Sequence, residues 1–269
     1  MEQLTNNKGL LVISFGTSVA ATRPRTLQAV ENALRDAFPE RHFYRAWTST
    51  VLRRKLEREE GQKVFSTEEA LEQMALDGVT DVLVQPTHLL PGEEFRITEE
   101  AVRAFAGRFS SLKMGRPLLS EEADVASLAT ALEAAWPMPE GEMLALMGHG
   151  SAEMTFPVYT LLEARLKEDG FLHGCVGTVE FDPGIEPVLE RVQREKPRRV
   201  HLAPLLLVAG DHAVNDMAGD EPDSWKNQIA REGAEPICHL VGLGEYEAVR
   251  ALYVQHARAA APVNGEALP

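Results

Sequence analysis

The chain carries the same loop twice, 118 residues apart (204 − 86). The first copy reads Gln85-Pro86-Thr87-His88-Leu89-Leu90-Pro91-Gly92-Glu93-Glu94-Phe95; the second reads Ala203-Pro204-Leu205-Leu206-Leu207-Val208-Ala209-Gly210-Asp211-His212. Each follows an apolar run and holds Pro and Gly at the same separation. Placing Pro86 on Pro204 puts Gly92 on Gly210 and Glu94 on His212. Two further segments match in the same order. Leu11 to Ser18 resembles Leu144 to Ser151, with His149 in the place of Phe15, and Ala46 to Thr50 resembles Val176 to Glu180, with Glu180 in the place of Thr50. The offsets fall steadily, from 134 (149 − 15) through 130 (180 − 50) to 118 (212 − 94). Ordered self-similarity of this kind is the mark of an internal duplication. It implies two similar halves with a cleft between them.

The pattern along the chain fixes the class of each half. Apolar runs at Leu10–Phe15, His42–Trp47, Asp81–Val84 and a weaker Lys113–Leu119 read as strands. Between them, Thr26–Phe38, a basic stretch to Glu60, a segment opened by a Ser66/Glu69 capping box, Arg96–Phe109 and Ser120–Trp136 read as helices. The order repeats in strands Met143–Met147, Leu172–Val176, Val200–Ala203 and Pro236–Val241, and in helices Phe156–Lys167, Ile185–Arg194, Asp223–Glu232 and Glu245–Ala260. Alternation of this kind predicts an α/β protein of two parallel sheets flanked by helices. Pro137 to Gly141 is the expected hinge, giving domains 1–137 and 138–269, with the closing helix 245–260 packing back on the first. From Pro262 onward the tail is expected to be unstructured.

Composition narrows the function. A net charge of −14 argues against a nucleic-acid partner, which needs clustered Lys and Arg. Arg23, Arg25, Arg53, Arg54 and Lys55 form the one basic cluster available to an anionic substrate, and they equally suit a solvated helix face. No apolar run reaches the roughly 20 residues of a membrane helix. The start of the chain is polar, and the two cysteines form no spaced framework, so a cytoplasmic protein is expected.

In parallel sheets ligands collect outside the carboxyl ends of the strands. His149, Glu180 and His212 all stand just past predicted strand ends. Two imidazoles and a carboxylate suit a borderline divalent metal. The same loops, Phe15-Gly16-Thr17-Ser18 and Gly148-His149-Gly150-Ser151, also suit an anion cradle of backbone N–H groups. Neither loop is a Walker A or G-x-G-x-x-G motif, and Ser151 lacks the G-x-S-x-G context of a triad nucleophile.

One segment goes further. Gly210-Asp211-His212-Ala213-Val214-Asn215-Asp216-Met217-Ala218-Gly219-Asp220, followed by Glu221-Pro222-Asp223-Ser224-Trp225-Lys226, resembles the signature of the anaerobic sirohydrochlorin cobalt chelatases, the CbiK type of the class II chelatases. Met147 to Ser151, Val179-Glu180-Phe181 and Gln85 to His88 resemble that family's other motifs, in order, over nearly the whole chain. The resemblance implies the class II chelatase fold, with a tetrapyrrole cleft between two similar domains. It implies insertion of Co²⁺, the substrate metal, into sirohydrochlorin or precorrin-2, with no organic cofactor. His149, Glu180 and His212 would be the metal ligands. His149, His212 and Glu94 would carry the catalysis, with a histidine as proton acceptor, and Phe15, Gly16, Thr17, Ser18, His88, Gly150 and Ser151 would line the substrate site. Carriage of tetrapyrrole or metal without insertion, and insertion of iron or nickel, are the competing readings; homo-oligomerisation is left open.

Overall fold

A computed structural model describes residues 6–151, 157–168 and 174–264. The chain divides into two compact units: 1–20, 27–120 and 250–269 form the first, 21–26 and 121–249 the second.

The first unit is built on β1 (Lys8–Ser14), whose Leu10 to Ile13 are fully buried. A strand buried on both faces belongs in the middle of a parallel sheet. It lies between β2 (His42–Trp47) and β3 (Asp81–Pro86), both parallel to it. β4 (Ser111–Met114) follows β3, and β9 (Ala261–Pro262) closes that edge antiparallel, giving the order β2-β1-β3-β4-β9. The helices of this unit are α1 (Leu27–Ala37), α2 (Thr50–Glu60), α3 (Thr67–Leu76) and α4 (Glu93–Arg103). Ser66 and Glu69 close the expected capping box on α3. Leu11, Ile13, Leu71, Met74, Val82, Val84 and Val102 share one core.

In the second unit β5 (Glu142–Gly148) lies between β6 (Gly174–Thr178) and β7 (Arg199–Pro204), with β8 (Glu235–Cys238) beyond β7, all parallel. The order β6-β5-β7-β8 repeats β2-β1-β3-β4. Its helices are α5 (Glu122–Ala135), α6 (Val158–Glu168), α7 (Glu186–Glu195) and α8 (Trp225–Arg231). Met143, Ala145, Met147, Val188, Val192, Leu202, Trp225 and Ile229 form its core.

The hydrogen bonds at the strand ends repeat as well. The Thr87 amide donates to Ile13 O and the Leu205 amide to Met147 O, both at 2.8 Å. Pro86 and Pro204 are each the last residue of the third strand, paired with Ile13 and Met147. One expected equivalence shifts by a residue. Thr48 N donates to Ser14 O and Ser49 N to Phe15 O; the matching bonds run from Val179 N to Gly148 O and from Glu180 N to His149 O. Glu180 therefore corresponds to Ser49 rather than Thr50.

Other boundaries move for local reasons. The helix placed at Arg96–Phe109 runs from Glu93 to Arg103, with a separate 3₁₀ turn at Ala106–Arg108. The strand placed at Lys113–Leu119 is Ser111–Met114; Gly115 sits so close under Gln85 that a Cβ there would stand 2.0 Å from its Oε1. Contacts divide the chain after Ser120 instead of at Pro137, because α5 packs on α6 and the Trp136 ring meets His239 edge-on, with centroids 4.6 Å apart. The closing segment is a 3₁₀ turn (Leu243–Glu245) and α9 (Glu247–Arg258), which counts with the first unit from Arg250 on. Pro262 is in β9, and the Val263 amide donates to Leu112 O. Phe156, Leu172 and the last five residues lie outside the described residues. Among those described, no helix is long and apolar enough to cross a membrane.

Candidate metal centre

The site grows from the carboxyl ends of three neighbouring strands in the second unit. β5 delivers His149, β6 delivers Glu180 two residues past its end, and the loop after β7 returns to the sheet edge at His212. The bond from the Glu180 amide to His149 O, 3.0 Å, ties the first two loops together. Gly148 and Gly150 permit the crowding. A Cβ on Gly148 would stand 2.7 Å from the Tyr159 ring, and one on Gly150, whose φ is +89°, would stand 2.9 Å from Phe181. Tyr159 Oη accepts from the Gly150 amide at 3.1 Å, so that N–H is not available to an anion. Together with the carboxylate of Glu180 in the adjoining loop, this weighs against an anion cradle at Gly148-His149-Gly150-Ser151.

His149, Glu180 and His212 each place one ligand atom within 4.8 Å of the others. Ligand atoms about 2.0–2.2 Å from a shared ion stand roughly 3–4 Å apart, so small side-chain movements suffice to close on a metal. His212 Nε2 is 3.8 Å from Glu180 Oε1, and the rings of His149 and His212 meet edge to face with centroids 5.1 Å apart. His149 Nδ1 lies 3.1 Å from Gly150 O, an atom that can only accept; Nδ1 therefore carries the proton and Nε2 keeps its lone pair. Glu180 is half exposed and His212 about a third, which leaves the centre open to a ligand from solvent. Three protein ligands with open positions suit a metal that must react or leave, not a structural ion.

Beyond His212 the backbone forms a five-residue π-helical turn, Ala213–Met217, closed by the Ala218 amide on Ala213 O. Such turns recur at functional sites. Here it returns Asp216 to His212, whose Nδ1 lies 2.7 Å from Asp216 Oδ2. Sequence reasoning missed Asp216, Tyr159 and Phe181. Asp216 stood inside the recognised segment, but nothing in its spacing marked an irregular turn.

Most of the remaining expected residues belong to the first unit. Phe15 is half exposed; Gly16 (φ +106°) lies against the Trp47 ring; the Thr17 hydroxyl accepts from Val19 N at 3.1 Å. Ser49, the counterpart of Glu180, caps α2 by accepting from Leu52 N. Glu94 lies in the first turn of α4. Among the described residues His88 has no hydrogen-bond partner at either ring nitrogen, and burial pulls its pKa down to about 4, so the ring is neutral. Ser151 adjoins Gly150 in the second unit. Of the basic cluster, Arg25 pairs with Glu245 and Arg53 with Glu69.

Comparison with known proteins bears directly on this centre. The family model described as cobalt chelatase (CbiK) matches residues 8–262. A sirohydrochlorin cobaltochelatase of Salmonella typhimurium is 37% identical over 250 residues, covering 93% of this chain and 94% of the relative. The sirohydrochlorin cobaltochelatase CbiKC of Nitratidesulfovibrio vulgaris is 33% identical over 94% of this chain and 90% of its own. Among solved structures, SirB from Bacillus subtilis with Fe³⁺ superposes with a TM-score of 0.65 at 14% identity, covering 94% of this chain and 95% of that one, which bears on the fold alone. Matched from β1 to β9 and at this identity, the chain belongs to the cobalt chelatase (CbiK) family.

Proposed function

We propose that this protein inserts Co²⁺ into sirohydrochlorin, or its reduced form precorrin-2, as a cobaltochelatase of cobalamin synthesis. The observation that carries the reading is the convergence of His149, Glu180 and His212 on one open point at the edge of the second sheet. The matching names of the relatives support it. Two imidazoles and a carboxylate hold a divalent ion without saturating it, so it can pass to the four nitrogens of a macrocycle. Insertion releases two pyrrole protons. As the metal leaves, His149 and His212 regain free Nε2 lone pairs and accept them. The apolar faces of Phe181 and Val214, each about 40% exposed beside the ligands, suit a flat macrocycle better than water. The reaction belongs in the cytoplasm, where the free thiols Cys175 and Cys238 stay reduced.

The test is anaerobic incubation with sirohydrochlorin and Co²⁺, followed by the absorbance change against a control without protein. Wild-type protein accelerates insertion, and His149→Ala and His212→Ala lose most of the acceleration at limiting metal. Full rates in both variants would overturn the ligand assignment. Tight binding of macrocycle and metal with no acceleration would leave a carrier.

A further inference from the structure

We infer that Asp216 is a positioning residue for the metal site: it fixes the ring and tautomer of His212 so that Nε2 presents its lone pair to the ion. The inference rests on the proposed ligand role of His212. A carboxylate can only accept, so the 2.7 Å contact of Asp216 Oδ2 with His212 Nδ1 places the proton on Nδ1. Nε2 is then the free donor, and it is the atom that stands 3.8 Å from Glu180 Oε1.

Three observations single out Asp216. It stands four residues past His212, within the π-turn Ala213–Met217. Of the other two aspartates in the segment, Asp211 accepts from Asn215 Nδ2 at 3.0 Å and Asp220 from Lys226 Nζ at 2.7 Å. The exit from the turn is also constrained, since a Cβ on Gly219 would stand 2.2 Å from Asn215 O. Among the described residues, the carbonyl of Gly150 takes the same role for His149. A carboxylate behind an imidazole makes it the more basic ligand.

The experiment titrates the metal-free protein with Co²⁺ alone. Asp216→Ala raises the Kd for Co²⁺ about 10- to 100-fold. Asp216→Asn keeps an acceptor oxygen without the charge and falls between it and wild type. Nitrogen-15 NMR of the metal-free protein reads the tautomer: protonated Nδ1 at His212 in wild type and Asp216→Asn, a shift toward protonated Nε2 in Asp216→Ala. Asp216 is about half exposed, so both variants keep the wild-type Tm. Weakened binding in His212→Ala with unchanged Kd and tautomer in both Asp216 variants would overturn the role of Asp216 alone. Unchanged Kd in His212→Ala would remove the ligand reading and this inference together.

Discussion

The two units share strand order, strand-end hydrogen bonds and loop register, yet three matching positions hold Phe15, Ser49 and Glu94 in one and His149, Glu180 and His212 in the other. The backbone frame is therefore not what sets the proposed metal centre apart. Side-chain chemistry at three strand ends does, and the first unit uses the same positions otherwise: Phe15 offers an exposed ring, Ser49 caps α2, and Glu94 joins the first turn of α4. Duplication supplied a scaffold, and divergence at a few loop residues confined the proposed ligands to one copy.

Exchanging counterparts tests this directly. His149→Phe places the first unit's residue in the second and removes a ligand. Since partners one step removed from a metal cost about 10- to 100-fold, its loss of Co²⁺ affinity exceeds about 100-fold, with Tm unchanged. Metal titration checks it; retained affinity would mean that the ligands lie elsewhere.

The next largest effect concerns stability. His88 corresponds to Leu206, and burial holds its folded pKa at about 4 against an unfolded value near 6.5. A depressed base leaves stability intact above the unfolded pKa and erodes it as pH falls through the folded one. Denaturant titrations of wild type should therefore lose up to about 3 kcal/mol between pH 6.5 and pH 4 from this group. In His88→Leu that limb should be flat. A limb of equal depth would show that His88 is paired or solvated.

Two substitutions then sharpen the contrast at matched positions. Gly150→Ala forces a Cβ into positive φ and against Phe181, so it costs about 1–2 kcal/mol and weakens Co²⁺ binding as the His149 loop shifts. Ser49→Ala removes the α2 cap, costs about 1 kcal/mol and leaves the Co²⁺ Kd unchanged. Glu180→Ala, at the same place in the second unit, has the opposite profile: no loss of Tm and weaker metal. If these two behaved alike, the division of labour between units would fail.

Much of this was legible in the sequence because duplication leaves an ordered trace. The match of Pro86 with Pro204 survives as one register, with Gly92 and Gly210 each accepting from the residue four ahead. Alternating apolar runs located eight parallel strands, and strand ends ahead of glycine or proline marked where ligands gather. The second match was out by one residue. Threonine recurs at both strand exits, and letter similarity preferred Thr48 on Thr178, whereas the hydrogen bonds set Thr48 on Val179.

Amino-acid order alone determined the α/β class, the repeated half and the three residues that can hold a divalent ion, because these follow from periodicity and from chemistry at strand ends. Only tertiary structure decided that Asp216 stands behind His212, that Tyr159 takes the Gly150 amide, and that α5 joins the second unit by packing on α6. The physical reason is the same in each case. Periodicity reports which face of an element is apolar, whereas an irregular turn, a ring packed on a loop and a helix choosing its neighbour depend on the shape of surfaces brought together from distant parts of the chain.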